Sequence, residues 1–294
     1  MSHDAQGGAS KSRSGVLSRV WSGVRPANPV VAFGLCLLFL LPAPARAELI
    51  CLLVADAETG TILLEEGDCD RRVTPASTFK LALAVIGHDA GLLEDAEHPV
   101  MMWQPGDPDW GGDSWRGAVS PHDWMRDSVV WYSQRLTRAL GAERFANAVR
   151  ALGYGNADVT GDPGFGNGLE RSWIASSLTI SGREQAEFLH RLLTRTLPVS
   201  PASMAFAEGL ATGHEVSGWR FHGKTGGAYP RRTDRSFNYA RGWGWYAGWA
   251  ERDGRRVIVV RLAQDEERHP GSPGLRSRDQ LFADWPGITA RAGL

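Results

Sequence analysis

Thr74-Pro75-Ala76-Ser77-Thr78-Phe79-Lys80-Leu81-Ala82-Leu83-Ala84-Val85-Ile86 reads as the opening of a buried helix with one lysine inside it. Thr is a favoured N-cap, and Pro suits the first helical position. The apolar spacing of Phe79, Leu81, Leu83, Val85 and Ile86 carries the helix on to Gly91. Ser77-Thr78-Phe79-Lys80 forms an S-x-x-K pattern. With Thr74 as cap, Ser77 lies in the first turn, at the positive end of the helix dipole. Its backbone N–H then has no intrahelical partner and is free to face a developing oxyanion. Lys80, three residues on, shares the helix face with Ser77 and reaches its hydroxyl. A serine hydroxyl is a poor nucleophile until a neighbour takes its proton, and Lys80 is placed to do so. The pattern alone is weak, because a helix start followed by a surface lysine arises by chance.

Working outward, residues 49–56 predict a strand, Glu58-Thr59-Gly60 a turn and residues 61–65 the return strand. Helical patches at 131–152, 181–195 and 201–210 are separated by loops rich in Gly, Asp, Asn and Trp. Strand character returns at 219–225, 242–251 and 256–263, with Asp253-Gly254 as a hairpin turn between the last two. A last amphipathic helix is expected near 275–284. Strands at both ends with helices between them predict an α+β fold: a central antiparallel sheet flanked by helices, with an all-helical insertion. Of the 294 residues 43% are hydrophobic, enough for a sizeable core.

The N-terminus differs from the rest. Lys11, Arg13, Arg19 and Arg25 precede an apolar run over 30–41, and Ala45-Arg46-Ala47 follows as a small-residue cleavage signal. This predicts a signal peptide over 1–47, a domain over 48–294 and a periplasmic, exported product. The run is short for a bilayer span, which leaves an uncleaved anchor as the other reading. Without residues 1–47 the chain loses five Lys/Arg and one Asp, leaving a net charge of about −5. That balance gives no footprint for nucleic acid, and no membrane contact is expected after signal removal. Cys51 and Cys69 remain. In an oxidising compartment they pair as a disulfide contributing roughly 3 kcal/mol, or persist as buried thiols. No histidine or cysteine spacing matches a metal site, so a zinc hydrolase is not expected.

Lys224-Thr225-Gly226 supplies the second motif. It follows a strand-like segment, and Gly226-Gly227 removes side chains beside a cleft. A lysine and a threonine there can hold a carboxylate. S-x-x-K followed by K-T-G is shared by penicillin-binding proteins and class A β-lactamases, whose S-D-N element is absent here. Further pieces narrow this: Ser128-Val129-Val130, Tyr154-Gly155-Asn156, Trp173, Gly244-Trp245-Tyr246-Ala247-Gly248-Trp249 and Gly274-Leu275-Arg276. Taken in order from Cys51 to Trp285, the sequence resembles the class D, oxacillinase-type β-lactamases.

The resemblance implies hydrolysis of small-molecule β-lactam antibiotics, and hence antibiotic resistance, through an acyl-enzyme at Ser77. It implies that Lys80 carries a CO2-derived carboxylate and is general base for both acylation and deacylation, with no other cofactor. A lysine in an apolar pocket becomes a neutral nucleophile, which makes carboxylation chemically sensible. Val130 and Trp173 support that base, the indole as a donor. Ser77 and Gly227 form the oxyanion hole, Ser128 and Lys224 move or stabilise the proton on the lactam nitrogen, and Thr225, Gly226 and Arg276 bind substrate. Arg278 competes with Arg276 for that role. The segment 229–241, rich in Arg and aromatics, shapes the cleft rim. Two rival readings share these motifs: a penicillin-binding transpeptidase, and a lactam sensor that acylates without turnover. The sequence leaves oligomeric state and substrate spectrum open.

Overall fold

The computed structural model describes residues 47–294. The signal-peptide expectation lies outside the described residues, apart from Ala47. The chain opens with a hairpin, β1 (Glu48–Asp56) and β2 (Ile62–Gly67), then a 3-10 turn over Ala76–Thr78 that runs into α1 (Phe79–Asp89). The two-residue strands β3 (Met101–Met102) and β4 (Ala118–Val119) follow. Next come α2 (Pro121–Asp127), α3 (Val130–Leu140), α4 (Ala142–Leu152), the single turn α5 (Gly168–Arg171), α6 (Gly182–Leu193) and α7 (Pro201–Leu210). The chain then returns to the sheet as β5 (Thr212–Val216), β6 (Trp219–Ala228), β7 (Trp243–Arg252) and β8 (Arg255–Gln264), and ends in α8 (Pro273–Ala292).

The main sheet is antiparallel in the order β2-β1-β8-β7-β6-β5. Its residues alternate between two cores, as strand geometry requires. Leu52, Val54, Phe221, Tyr246 and Val259 pack on Leu281, Trp285 and Ile288 of α8. Leu53, Ala55, Trp245, Trp249, Ile258 and Val260 join a larger core with α1, α3, α4, α6 and α7. The result is three layers: α8, the sheet and the remaining helices. β7 is buried from Gly244 to Ala250, which accounts for its unbroken run of apolar and glycine residues. Cys51 and Cys69 form a disulfide that ties β1 to the segment after β2.

Four local differences have physical causes. Thr74 caps no helix; Pro75 precedes the 3-10 turn, and α1 begins only at Phe79. The helix expected over 131–152 is two, because Gly141 at φ +78 ends one and starts the other. The last helix extends through Pro286, held by burial of Trp285, Ile288 and Ala292. β5 escapes sequence reading because its residues Thr-Gly-His-Glu-Val are largely polar and sit on an edge strand.

Candidate active site

α1 is apolar almost all round and buried from Phe79 to Gly87, so it runs through the core rather than over it. Lys80 is the one charged side chain in that stretch, and it is 1% exposed. Its Nζ lies 3.4 Å from Ser77 Oγ. Burial and the positive charge of Lys224 both push the Lys80 pKa well below the ordinary lysine value. An isolated buried ammonium is costly, so the neutral amine is favoured. Among the described residues no carboxylate pairs with it. Ala76, immediately before the serine, is in the left-handed region at φ +50. That conformation is uncommon for a residue bearing a Cβ, and such backbone strain concentrates at functional sites.

The opposite wall is β6. Its pairing with β5 ends at Gly223, so Lys224 to Ala228 pair only with β7 and present a free edge. The Ser77 turn packs directly on that edge: a Cβ at Gly226 would sit 2.7 Å from the Pro75 carbonyl oxygen and 3.1 Å from the Thr78 nitrogen. Only glycine allows this approach, which explains the third position of the K-T-G motif. Gly227 is crowded in the same way by Ser272 and Pro273 at the start of α8. Lys224 is buried and its pKa is lowered to about 8. Burial is the main cause; the Arg278 charge lowers it further, and the Asp127 charge opposes both.

The loop between α4 and α6 brings Trp173 to this place. Tyr154-Gly155-Asn156 closes the base of that loop: Asn156 Nδ2 donates to the Ser177 carbonyl at 2.9 Å, and its Oδ1 accepts from Thr179 N at 3.0 Å. Gly155 has φ +56, and a Cβ there would stand 2.1 Å from the Thr179 oxygen. Thr74 holds the far end. Its hydroxyl donates to the Trp173 carbonyl at 2.8 Å and accepts from Ala175 N at 3.0 Å. The Trp173 ring stacks on Phe79, the residue before Lys80, at 5.6 Å between centroids. Thr74 was expected to cap a helix; instead it joins the Trp173 loop to the serine turn, a role no local sequence signal announces. Gln185, likewise unforeseen, donates to Thr78 Oγ1 at 2.7 Å and steadies the same turn.

Ser128 lies between α2 and α3 in the left-handed region, φ +63, and Val130 begins α3 with 6% exposure. Arg276 is engaged by partners of its own. Its guanidinium bonds Asp265 at 2.6 and 3.4 Å and the carbonyls of Pro270 and Gly271 at 2.7 and 3.2 Å. The buried Asp265 requires a counter-charge, and Arg276 supplies it. Arg278 is two residues on, about 200° around the helix; its charge is the one that acts on Lys224. Among the described residues, no group of His, Cys, Asp or Glu is gathered to hold a metal ion.

The family model described as the penicillin binding protein transpeptidase domain matches residues 50–285. The chain is 41% identical over 237 residues to Beta-lactamase OXA-9 of Klebsiella pneumoniae, covering 80% of this chain and 86% of that one. It is 30% identical over 215 residues to Beta-lactamase OXA-1 of Escherichia coli, covering 71% and 74%. Among solved structures, the class D β-lactamase OXA-427 matches with a TM-score of 0.75 at 39% identity, over 82% of this chain and 99% of that one.

Proposed function

Since this chain belongs to the class D β-lactamases, within the penicillin-binding transpeptidase fold, we propose that it hydrolyses β-lactam antibiotics through an ester on Ser77. The observation that carries this reading is a buried, charge-depleted Lys80 standing 3.4 Å from the serine hydroxyl.

Lys80 fits carboxylation. Its neutral amine adds CO2 with loss of a proton, and its burial, with Val130 proposed as part of the apolar wall, excludes the water that would favour the ammonium. Bound there, the carboxylate supplies a base at the serine. Ser77 Oγ attacks the lactam carbonyl carbon as its proton leaves toward Lys80. The Ser77 and Gly227 amides stabilise the oxyanion. The lactam C–N bond then breaks, and the nitrogen takes a proton relayed by Ser128, with Lys224 stabilising the charge. Water, deprotonated from the Lys80 side, cleaves the ester and frees Ser77. The Thr225 hydroxyl and the Lys224 charge receive the substrate carboxylate; Arg276 joins them as substrate competes with Asp265 for its guanidinium. Export is part of the same proposal and rests on residues 1–47.

Steady-state hydrolysis of a small lactam panel at acidic pH, with and without bicarbonate, tests the mechanism. Acid protonates the amine and favours loss of CO2, so activity falls as pH drops and recovers when bicarbonate is added. A rate at low pH indifferent to bicarbonate counts against it. A single burst of acylation without turnover would instead favour the transpeptidase or sensor reading.

A further inference from the structure

A second ionic cluster lies behind Trp173, and no step of the proposed reaction uses it. Asp162 sits in the loop between α4 and α6 and is 8% exposed. Its carboxylate accepts from Ser176 Oγ at 2.8 Å, from Asn167 Nδ2 at 3.1 Å and from Arg231 Nη2 at 3.3 Å. Arg171 Nε stands 3.8 Å away. The cluster spans two loops, because Arg231 belongs to the segment joining β6 to β7. Phe237 of that same segment lies beneath both guanidiniums, with Arg231 at 4.6 Å and Arg171 at 5.8 Å from its ring centre.

This latch reaches the serine through few bonds. Arg231 Nε donates to the Ala175 carbonyl at 3.4 Å, and the Ala175 N–H is held by Thr74. Ala175 itself is in the left-handed region, φ +50. An alanine keeps that conformation only when its surroundings over-determine it. Here Thr74 grips it from one side and Arg231 from the other. Trp173 is two residues earlier and its carbonyl is also bound by Thr74. The acid is needed electrostatically as well, since without it two half-buried guanidiniums share one aromatic ring with no counter-charge between them.

We propose that Asp162 is a positioning residue: with Arg231 and Arg171 it latches the β6–β7 loop onto the Trp173 loop and so fixes the wall against which Lys80 works. The cleft rim and the base are therefore one mechanical unit. This rests on the reading of Lys80 as the carboxylated base.

The test compares Asp162→Asn, Arg231→Ala and Arg231→Lys with the unaltered protein by two readouts. Asn removes the charge at nearly constant shape: its amide oxygen can still accept from Asn167 Nδ2, while its NH2 faces the Ser176 hydroxyl and reverses that bond. The first readout is the bicarbonate concentration giving half-maximal kcat; it rises about tenfold in Asp162→Asn and Arg231→Ala, and Arg231→Lys recovers part of it. The second is hydrogen exchange at the amides of Ala175, Ser176 and Ser177, which quickens in the same order. A purely structural role lowers Tm and leaves the bicarbonate requirement where it was. If the unaltered protein ignores bicarbonate, the base reading fails and exchange alone decides the latch. Variants that match the unaltered protein in both readouts overturn the proposal, as do variants that lose only Tm.

Discussion

The two walls of the cleft each bury a lysine, yet they leave it in different states. On the α1 wall, burial and the positive charge of Lys224 act in the same direction on Lys80, and nothing opposes them. On the β6 wall, burial and Arg278 lower Lys224, but the Asp127 charge raises it, and its pKa settles at about 8. Lys80 is therefore pushed well toward the uncharged amine, while Lys224 keeps most of its charge at neutral pH. The proposed reaction uses both: a neutral amine to take up CO2 and act as base, and a cation to attract carboxylate and stabilise the leaving nitrogen. The residue type is the same; the neighbours divide the roles.

The sharpest way to break this contrast is Lys80→Ala. It removes the proposed base for both half-reactions, and turnover of a chromogenic cephalosporin is expected to fall by about a thousandfold or more. Retained turnover would mean that another group takes the serine proton. Lys224→Ala leaves the base in place and removes the cation. kcat/KM is expected to fall by about a hundredfold, with KM rising for lactams that carry the ring carboxylate.

The smallest effect is the most discriminating. Activity is expected to decline as pH rises through about 8, because deprotonation of Lys224 removes its charge. Asp127→Asn takes away a charge that favours the ammonium, so this alkaline limb moves to lower pH. Arg278→Ala takes away one that disfavours it, so the limb moves up. Each shift is a fraction of a pH unit in a pH–rate profile. Shifts of the same sign in both variants would show that another group controls the limb.

Much of the site was readable before folding because its chemistry sits on contiguous residues. Ser77 and Lys80 lie one turn apart, and Lys224, Thr225 and Gly226 follow each other along one strand, so spacing alone brings them together. Gly155 and Gly226 were readable as motif positions, although their reason, contact with the Thr179 and Pro75 carbonyls, is tertiary. The rest depended on distant partners. Thr74 looks locally like a helix cap, but Trp173 and Ala175, about a hundred residues away, claim its hydroxyl instead. Asp162 and Arg231 are 69 residues apart, and each alone reads as a solvated loop charge. Arg276 was legible as a guanidinium near the cleft, but its capture by Asp265 was not. In the sheet, the buried strands β1, β7 and β8 stood out by composition, while the polar edge strand β5 did not.

The central claim is that Lys80, buried beside Ser77, is the amine that takes up CO2. Carbon-13 NMR of the protein equilibrated with labelled bicarbonate at neutral pH tests it directly. A carbamate resonance that fades on acidification and is missing in Lys80→Ala is the predicted result. The absence of that resonance in an active sample, or its persistence in Lys80→Ala, would contradict the claim.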